Sequence, residues 1–169
     1  LPLDCVEVKI VDDAGNEVPV GEPGEIIIRS ELNMKGYLNR PEETAEVLKE
    51  GWLYTGDIGR FDEDGYLYIV DRKKEMIITS GENVYPSEVE KVISEHPAVG
   101  LVAVVAAPDP RRGEISKAIV SLKPGASLSE QELTDWCKER MAFFKVPKIV
   151  EFRESLPVGP TGKVQKKLL

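Results

Sequence analysis

Residues 71–86 carry the stretch that divides the chain, DRKKEMIITSGENVYP. It begins with a cluster of charges, Asp71–Glu75, which separates two apolar runs, Tyr66–Val70 and Met76–Ile78. A Ser-Gly turn follows, and Pro86 suits the first turn of a helix, where its missing N–H costs nothing. Because the patterns on the two sides of the cluster differ, we predict a domain boundary within it.

Composition narrows the class of protein. The chain has 169 residues, enough for one medium or two small domains, and its net charge of -8 argues against a nucleic-acid-binding surface. The longest apolar run, Val99–Ala107, is shorter than the roughly 20 residues that cross a bilayer. A membrane-spanning segment is therefore not expected, and association with a membrane surface stays open, with no pattern that indicates it.

Two features concern the compartment and the chain ends. Cys5 and Cys137 lie far apart without metal-type spacing, which favours reduced thiols in a cytoplasmic protein. No basic segment opens the chain, so no secretory signal is expected. The sequence starts at Leu1 without Met, and we expect a fragment of a longer protein.

The part before the cluster contains short alternating stretches. Pro41–Lys49 fits a short helix, with Gly51 as its C-cap. The last two predicted strands flank the turn DEDG, which is a hairpin pattern. The predicted strands are Cys5–Asp12, Glu25–Ser30, Ile58–Phe61 and Gly65–Val70. We predict a short antiparallel β-barrel-like subdomain.

The part after the cluster mixes strands with two helices. Pro86–Glu95 carries apolar residues at helical spacing. A second helix is predicted from a capping box, with Ser127 at the N-cap and Glu130 at N3. The predicted strands are Glu75–Thr79, Val99–Ala107, Ile115–Leu122 and Ile149–Phe152. This order predicts a small α+β domain with helices packed on a sheet, and an α+β fold class for the whole chain.

Two polar positions in the first half are candidates for nucleotide contact. Asp57, in the sequence Tyr-Thr-Gly-Asp, could accept hydrogen bonds from two ribose hydroxyls, or it is a turn residue bonded to its own backbone. Arg72 has the fork geometry for a phosphate or ribose oxygen, or it forms an exposed pair with Asp71.

Two motifs of the second half suggest contact with a charged ligand. Ser80 and Gly81 allow a ligand to approach the backbone closely, or they form a plain strand-to-helix turn. Lys163 follows Gly162 without the rest of a P-loop pattern. It is either a single Lys on a mobile tail that reaches a developing negative charge, or one more solvated Lys.

Aromatic residues lie beside cations at residues 143–148. Phe144 and Lys148 suit stacking on a purine beside phosphates, although at least one of the two Phe residues there is expected to be core. His96 is the only histidine, so a histidine-based metal site and a Ser–His nucleophile are not expected.

The order and spacing of these motifs resemble the adenylate-forming superfamily, which contains acyl-CoA synthetases, peptide-synthetase adenylation domains and luciferases. The motifs are YTGD (54–57), DRKKE (71–75), SGENVYPSEVE (80–90) and LPVGPTGK (156–163). Two further stretches, KERMAFFKVPK (138–148) and VEFRESLP (150–157), most resemble medium- or long-chain fatty acyl-CoA ligases.

The resemblance implies a two-step reaction that uses ATP and CoA. ATP and a carboxylate give an acyl-adenylate and pyrophosphate, and the CoA thiol then displaces AMP. It implies that Asp57 binds the ribose and that Arg72 contacts the nucleotide. It also implies that Lys74 is a hinge and that Lys163 orients the carboxylate and the α-phosphate. Mg²⁺ is implied by the family, with no ligands visible in this chain.

The resemblance assigns CoA contacts and a domain organisation as well. Ser80 and Gly81 match the loop that lines the pantetheine tunnel, and Phe144 and Lys148 match contacts to the CoA nucleotide. Residues 1–72 would be the truncated β-rich part of the large domain, 73–75 the hinge, and 76–169 the small mobile domain. Gly159 departs from the family, which often has a polar Thr there.

The family's phosphate loop and acyl pocket would lie upstream of Leu1, so the fragment alone is predicted to be inactive. The expected partners are a fatty acid, ATP, CoA and the N-terminal domain of the same chain, with no nucleic acid. Two alternatives stay open. One is a ligase for an aryl or amino acid, and the other is a stand-alone, non-catalytic CoA-binding module.

Overall fold

The chain folds into two compact units. A computed structural model describes residues 3, 5–160 and 162–169. The units are Leu1–Lys74 and Glu75–Leu169, and a short 3-10 turn, Lys73–Glu75, carries the chain from the first to the second. The boundary thus falls inside the predicted hinge, whereas rotation about it stays a prediction.

The first unit is a five-stranded antiparallel sheet with one short helix. The strand order is β1-β2-β4-β3, and β5 also pairs with β4. Its elements are β1 (Glu7–Val11), β2 (Gly24–Arg29), α1 (Pro41–Val47), β3 (Leu48–Lys49), β4 (Trp52–Phe61) and β5 (Leu67–Arg72). Buried residues of β1, β2 and β4, among them Ile10, Ile26 and Ile58, form its core. The predicted barrel-like antiparallel sheet is confirmed.

The second unit is a mixed sheet with two helices. Its elements are β6 (Ile77–Thr79), β7 (Glu82–Val84), α2 (Pro86–Ser94), β8 (Val99–Asp109), β9 (Gly113–Leu122), α3 (Glu130–Lys138) and β10 (Ile149–Phe152). The strand order is β10-β9-β6-β7, with β8 also paired to β9, and only the β9–β10 pair is parallel. The predicted α+β fold class is therefore confirmed.

The long β8–β9 hairpin is covered on both faces. Because side chains alternate along a strand, Val104 and Ala103 point to opposite faces. Val104 belongs to the main core, together with buried residues of both helices. Ala103 and Ile119 instead pack with Leu156 of the C-terminal tail. The tail, Leu156–Leu169, is rich in Pro, Gly and Lys, which predicts a mobile start. Its first residue is instead buried on the face opposite the helices.

Two-residue turns create two hairpins that the sequence patterns did not predict. The turn Glu50-Gly51 joins β3 to β4, so Gly51 is not the C-cap of α1. The turn Ser80-Gly81 joins β6 to β7 and is not a strand-to-helix turn. In each turn both residues have positive φ, 51° and 84° in the first and 53° and 87° in the second, as type I′ hairpin turns require.

The capping box of α3 lies two residues later than predicted. The Ser129 hydroxyl oxygen accepts the N–H of Glu132 at 3.2 Å, and the Glu132 carboxylate accepts the N–H of Ser129 at 2.8 Å. Leu128, just before the cap, is buried in the same core as Leu133, the arrangement of a hydrophobic staple. The prediction of Ser127 as N-cap was wrong because burial of Leu128 sets the register.

Candidate functional site

Asp57 and Arg72 face each other across two neighbouring strands of the first unit. They are directly paired positions of β4 and β5, and Arg72 Nε lies 3.3 Å from Asp57 Oδ1. Asp71, the alternative partner for Arg72, accepts its backbone N–H at 2.7 Å. The strand register thus joins two residues that lie 15 positions apart in the sequence.

A bulge in β4 sets the position of Asp57. Residues Thr55, Gly56 and Asp57 lie opposite the single residue Ile26 of β2. The Thr55 hydroxyl donates to the Ile26 carbonyl at 2.7 Å and its oxygen accepts the N–H of Asp57 at 3.1 Å. Gly56 has a φ of 70°, which glycine adopts without strain. The predicted glycine turn is therefore a bulge inside a strand, and bulges often re-aim functional side chains.

Glu25 is a buried carboxylate that supports this bulge. One of its oxygens accepts the N–H of Gly56 at 3.1 Å, and the other accepts Lys73 Nζ at 2.9 Å. Lys73 Nζ also lies 2.7 Å from Asp13 Oδ1. The bond to Asp13 raises the pKa of Lys73; partial burial opposes the rise, and Glu25 adds to it. Sequence analysis did not single out Glu25, although a charge beside the apolar run Ile26–Ile28 was a signal.

The pair opens onto a concavity of about 370 Å³ in the first unit. Its lining residues are Thr55, Gly56, Asp57, Arg72, Lys73 and Lys74. Lys74, the predicted hinge, is exposed and is the last residue of this unit. A carboxylate can accept hydrogen bonds from ribose hydroxyls, and Arg and Lys cations can donate hydrogen bonds to phosphate oxygens. The residues present therefore fit part of a nucleotide.

Lys163 lies on a small hairpin of the C-terminal tail. Val158 and Val164 form an antiparallel bridge, and the Lys163 carbonyl accepts the N–H of Gly159 at 2.8 Å. The Lys163 side chain is exposed, as a residue that reaches a ligand must be. Thr161, part of the predicted motif, lies outside the described residues.

The Ser80-Gly81 turn lies beside the loop between β8 and β9. The N–H of Ser80 donates to the carbonyl of Arg112 at 3.0 Å. Space around the Gly81 Cα is open, since a Cβ built there would meet no atom within 4 Å. This turn is therefore accessible to a ligand from outside the second unit.

The structure separates the two neighbouring Phe residues. Phe144 packs against the main core, whereas Phe143 is 70% exposed. Lys148 Nζ lies 4.0 Å from the Phe143 ring centroid and donates to the Phe143 carbonyl at 3.3 Å. Burial, and then the nearby charges of Arg112 and Lys138, lower the pKa of Lys148. Phe143 rather than Phe144 is thus available to a ligand beside these cations.

Neither a metal-ligating cluster nor a membrane-spanning helix is found among the residues that the structure describes. Across residues 3, 5–160 and 162–169, no group of three His, Cys, Asp or Glu side chains is placed to hold a metal. Mg²⁺ stays a prediction that rests on the family resemblance. In the same part of the chain, no helix has the length and apolar character needed to cross a membrane.

Comparisons with known proteins agree with this architecture. Residues 88–163 match the family described as AMP-binding enzyme C-terminal domain, and residues 1–38 match the AMP-binding enzyme family. The chain is 48% identical over its full length to a long-chain-fatty-acid–CoA ligase of Escherichia coli O6:H1, covering 30% of that protein. It is 46% identical over 98% of its length to a feruloyl-CoA synthase of an Amycolatopsis species, covering 34% of it.

Solved structures give the same result. The amide bond synthetase McbA of Marinactinospora thermotolerans matches 99% of the chain with a TM-score of 0.89 and 46% identity, over 34% of its own length. ATP-bound MatB of Rhodopseudomonas palustris matches 98% of the chain with a TM-score of 0.91 and 37% identity, over 33% of its length.

The fold, the motifs and the matches together place the chain in the class of adenylate-forming enzymes. The chain belongs to the AMP-binding enzyme family. It spans about a third of the length of the relatives that it matches.

Proposed function

We propose that the chain is the C-terminal part of an ATP-dependent fatty acid–CoA ligase. The observation that carries the proposal is the Asp57–Arg72 pair, which places a carboxylate beside a guanidinium at the concavity of the first unit. A carboxylate accepts from both hydroxyls of a ribose, and a guanidinium donates to its ring or phosphate oxygens. ATP and CoA are the proposed co-substrates.

The first proposed step makes an acyl-adenylate. An oxygen of the fatty acid carboxylate attacks the α-phosphorus of ATP, the acyl–phosphate bond forms, and pyrophosphate leaves. Negative charge grows on the oxygens around that phosphorus, and an ammonium in contact with them lowers the barrier. Lys163 is the residue that we assign to this task, since its side chain is exposed on the tail hairpin.

The second proposed step makes the thioester. The deprotonated CoA sulfur attacks the acyl carbon, the carbon–oxygen bond to AMP breaks, and AMP leaves. Two reactions at one site need two different sets of protein groups. Rotation of domain 76–169 about Lys74, relative to domain 1–72, would replace one set by the other. Ser80 and Gly81 would then line the path of the pantetheine. Lys148, with Phe143 in place of Phe144, would contact the CoA nucleotide.

A fatty acid is the acyl substrate that we favour. The relative with 48% identity over the full chain is named for long-chain fatty acids, and residues 138–148 resemble that group. An aryl acid is the second candidate, because the feruloyl-CoA synthase is 46% identical. The amide bond synthetase McbA, at 46% identity, raises an amine as a second candidate acceptor in place of the CoA thiol.

A substrate panel with the full-length protein tests the proposal. Carboxylate-dependent exchange between ATP and pyrophosphate is measured with palmitate, ferulate and an amino acid, and CoA is then compared with a simple amine as acceptor. We expect exchange with palmitate and a thioester product. Exchange with ferulate alone would favour the aryl ligase, and an amide product would favour amide synthesis. CoA binding without exchange on any acid would favour a non-catalytic CoA-binding module.

A further inference from the structure

The tail contains one lysine that differs from its neighbours. Lys166 Nζ lies 2.8 Å from Glu90 Oε1 of α2 and 3.1 Å from Glu75 Oε2, and its side chain is 22% exposed. Lys163 and Lys167 on either side are exposed. A long cation is rarely withdrawn from water unless carboxylates compensate for the lost hydration.

The carboxylates that hold Lys166 are themselves fixed to the second unit. The Glu90 carboxylate also accepts the N–H of Val104, a fully buried residue of β8, at 2.7 Å. Glu75 is the first residue of the unit. Burial lowers the pKa of Lys166, but the ion pairs with Glu90 and then with Glu75 together have a larger effect, and the pKa is raised above its ordinary value. The ammonium therefore stays charged and joins the tail to a helix and to the start of the unit.

The remaining contacts hold the tail on both sides of Lys163. Leu156 is 4% exposed and packs with Ala103 and Ile119 on the face of the β8–β9 hairpin opposite the helices. The N–H of Gln165 donates to the Pro157 carbonyl at 2.8 Å. The hairpin that carries Lys163 thus begins at a buried Leu and ends at the Lys166 ion pairs, three residues after Lys163.

We propose that Lys166 is a positioning residue for Lys163. It fixes the end of the hairpin, so that the exposed side chain of Lys163 projects from the second unit at a defined position. This inference rests on the proposed role of Lys163 in adenylation. A displaced catalytic group loses rate steeply, on the order of 100-fold for about 1 Å. Loss of Lys166 should therefore lower the rate of adenylation strongly while it changes the melting temperature little.

The test measures each half-reaction in the full-length protein. We expect Lys166→Met to slow acyl-adenylate formation about 10–100-fold, while thioester formation from supplied acyl-adenylate stays within about twofold. Lys166→Arg, which keeps the charge, should restore most of the adenylation rate. Lys167→Met is the matched control and should change neither half-reaction. Equal losses in both half-reactions, or no loss of adenylation, would overturn the proposal.

A double-mutant cycle separates positioning from a general structural effect. If Lys166 acts through Lys163, its replacement should have no further effect on adenylation in a Lys163→Ala background, whereas independent effects multiply. Undiminished adenylation in Lys163→Ala would refute the role of Lys163 and this inference with it. Loss in Lys163→Ala with full activity in Lys166→Met would refute the inference alone.

A folding defect in Lys166→Met would not leave the question open. Melting temperatures are measured first, and a variant that melts more than about 5 °C lower is replaced by Glu90→Gln, outside the hinge. That change removes the charge of one partner of Lys166, while the amide oxygen can still accept the N–H of Val104. The same selective loss of adenylation is expected, and independent effects in the cycle would again overturn the proposal.

Discussion

Replacement of Lys73 by Met removes the cation that holds Glu25. The ammonium lies 2.9 Å from Glu25 Oε2 and 2.7 Å from Asp13 Oδ1, and the Glu25 side chain is 9% exposed. Loss of one partner from a fully buried pair costs about 3–5 kcal/mol, because the other charge stays buried. Lys73 is 38% exposed and Asp13 85%, so water screens part of the effect, and we expect about 1–2 kcal/mol.

The two tryptophans allow this loss to be measured in one unit at a time. Trp52 lies in β4 and Trp136 in α3, so a Trp136→Phe background leaves fluorescence from the first unit alone. Urea unfolding of Lys73→Met in that background should show the loss of about 1–2 kcal/mol. Lys74→Met, adjacent and exposed, is the matched control. A loss below about 0.5 kcal/mol, or an equal loss in the control, would show that Lys73 does not stabilise buried Glu25.

The pH dependence gives a second check on the same ion pairs. The pKa of Lys73 is raised above its ordinary value of 10.5. A group whose pKa is raised in the folded state stabilises the fold fully when the pH is below the pKa of the unfolded state. It loses that contribution as the pH rises through the pKa of the folded state. The difference in free energy of unfolding between wild type and Lys73→Met should therefore be fully present at about pH 9 and shrink above pH 10.5.

Three further predictions concern the nucleotide, a thiol and a helix cap. Asp57→Ala in the full-length protein should raise the KM for ATP about tenfold or more without lowering the melting temperature, because a charged hydrogen bond contributes about 1.5–3 kcal/mol. Burial raises the pKa of the Cys137 thiol to about 11, against a smaller opposing effect of Arg140, so a thiol reagent at about pH 8 should label the exposed Cys5 and spare Cys137 until the chain unfolds. Ser129→Ala should destabilise the second unit by about 1 kcal/mol in urea unfolding, whereas Ser127→Ala should not; the reverse would contradict the observed cap.

Periodicity predicted most strands but not the short hairpins. Apolar runs and turn residues located the strands that pair in long ladders, such as β8 and β9. The turns Glu50-Gly51 and Ser80-Gly81 escaped because Glu and Ser are uncommon at the positive φ of a type I′ turn. The cap of α3 was misplaced because two Ser-x-x-Glu patterns overlap, and only the buried position of Leu128 distinguishes them.

Motifs singled out the candidate site residues but not the contacts that support them. Asp57 and Arg72 were evident from spacing, whereas the bond between Glu25 and Lys73 joins residues 48 positions apart through the sheet register. Likewise the tail lysines look alike in sequence, and only tertiary packing buries Lys166. Partners set by register or packing leave no local pattern, which is why the sequence did not identify them.

We propose that Lys163 serves acyl-adenylate formation and not the thioester step. The most direct test measures both half-reactions of Lys163→Ala in the full-length protein with palmitate as the acid. We expect palmitate-dependent ATP–pyrophosphate exchange to fall about 100-fold or more, while thioester formation from supplied palmitoyl-adenylate stays within about threefold. Equal losses in the two half-reactions, or undiminished exchange, would contradict it.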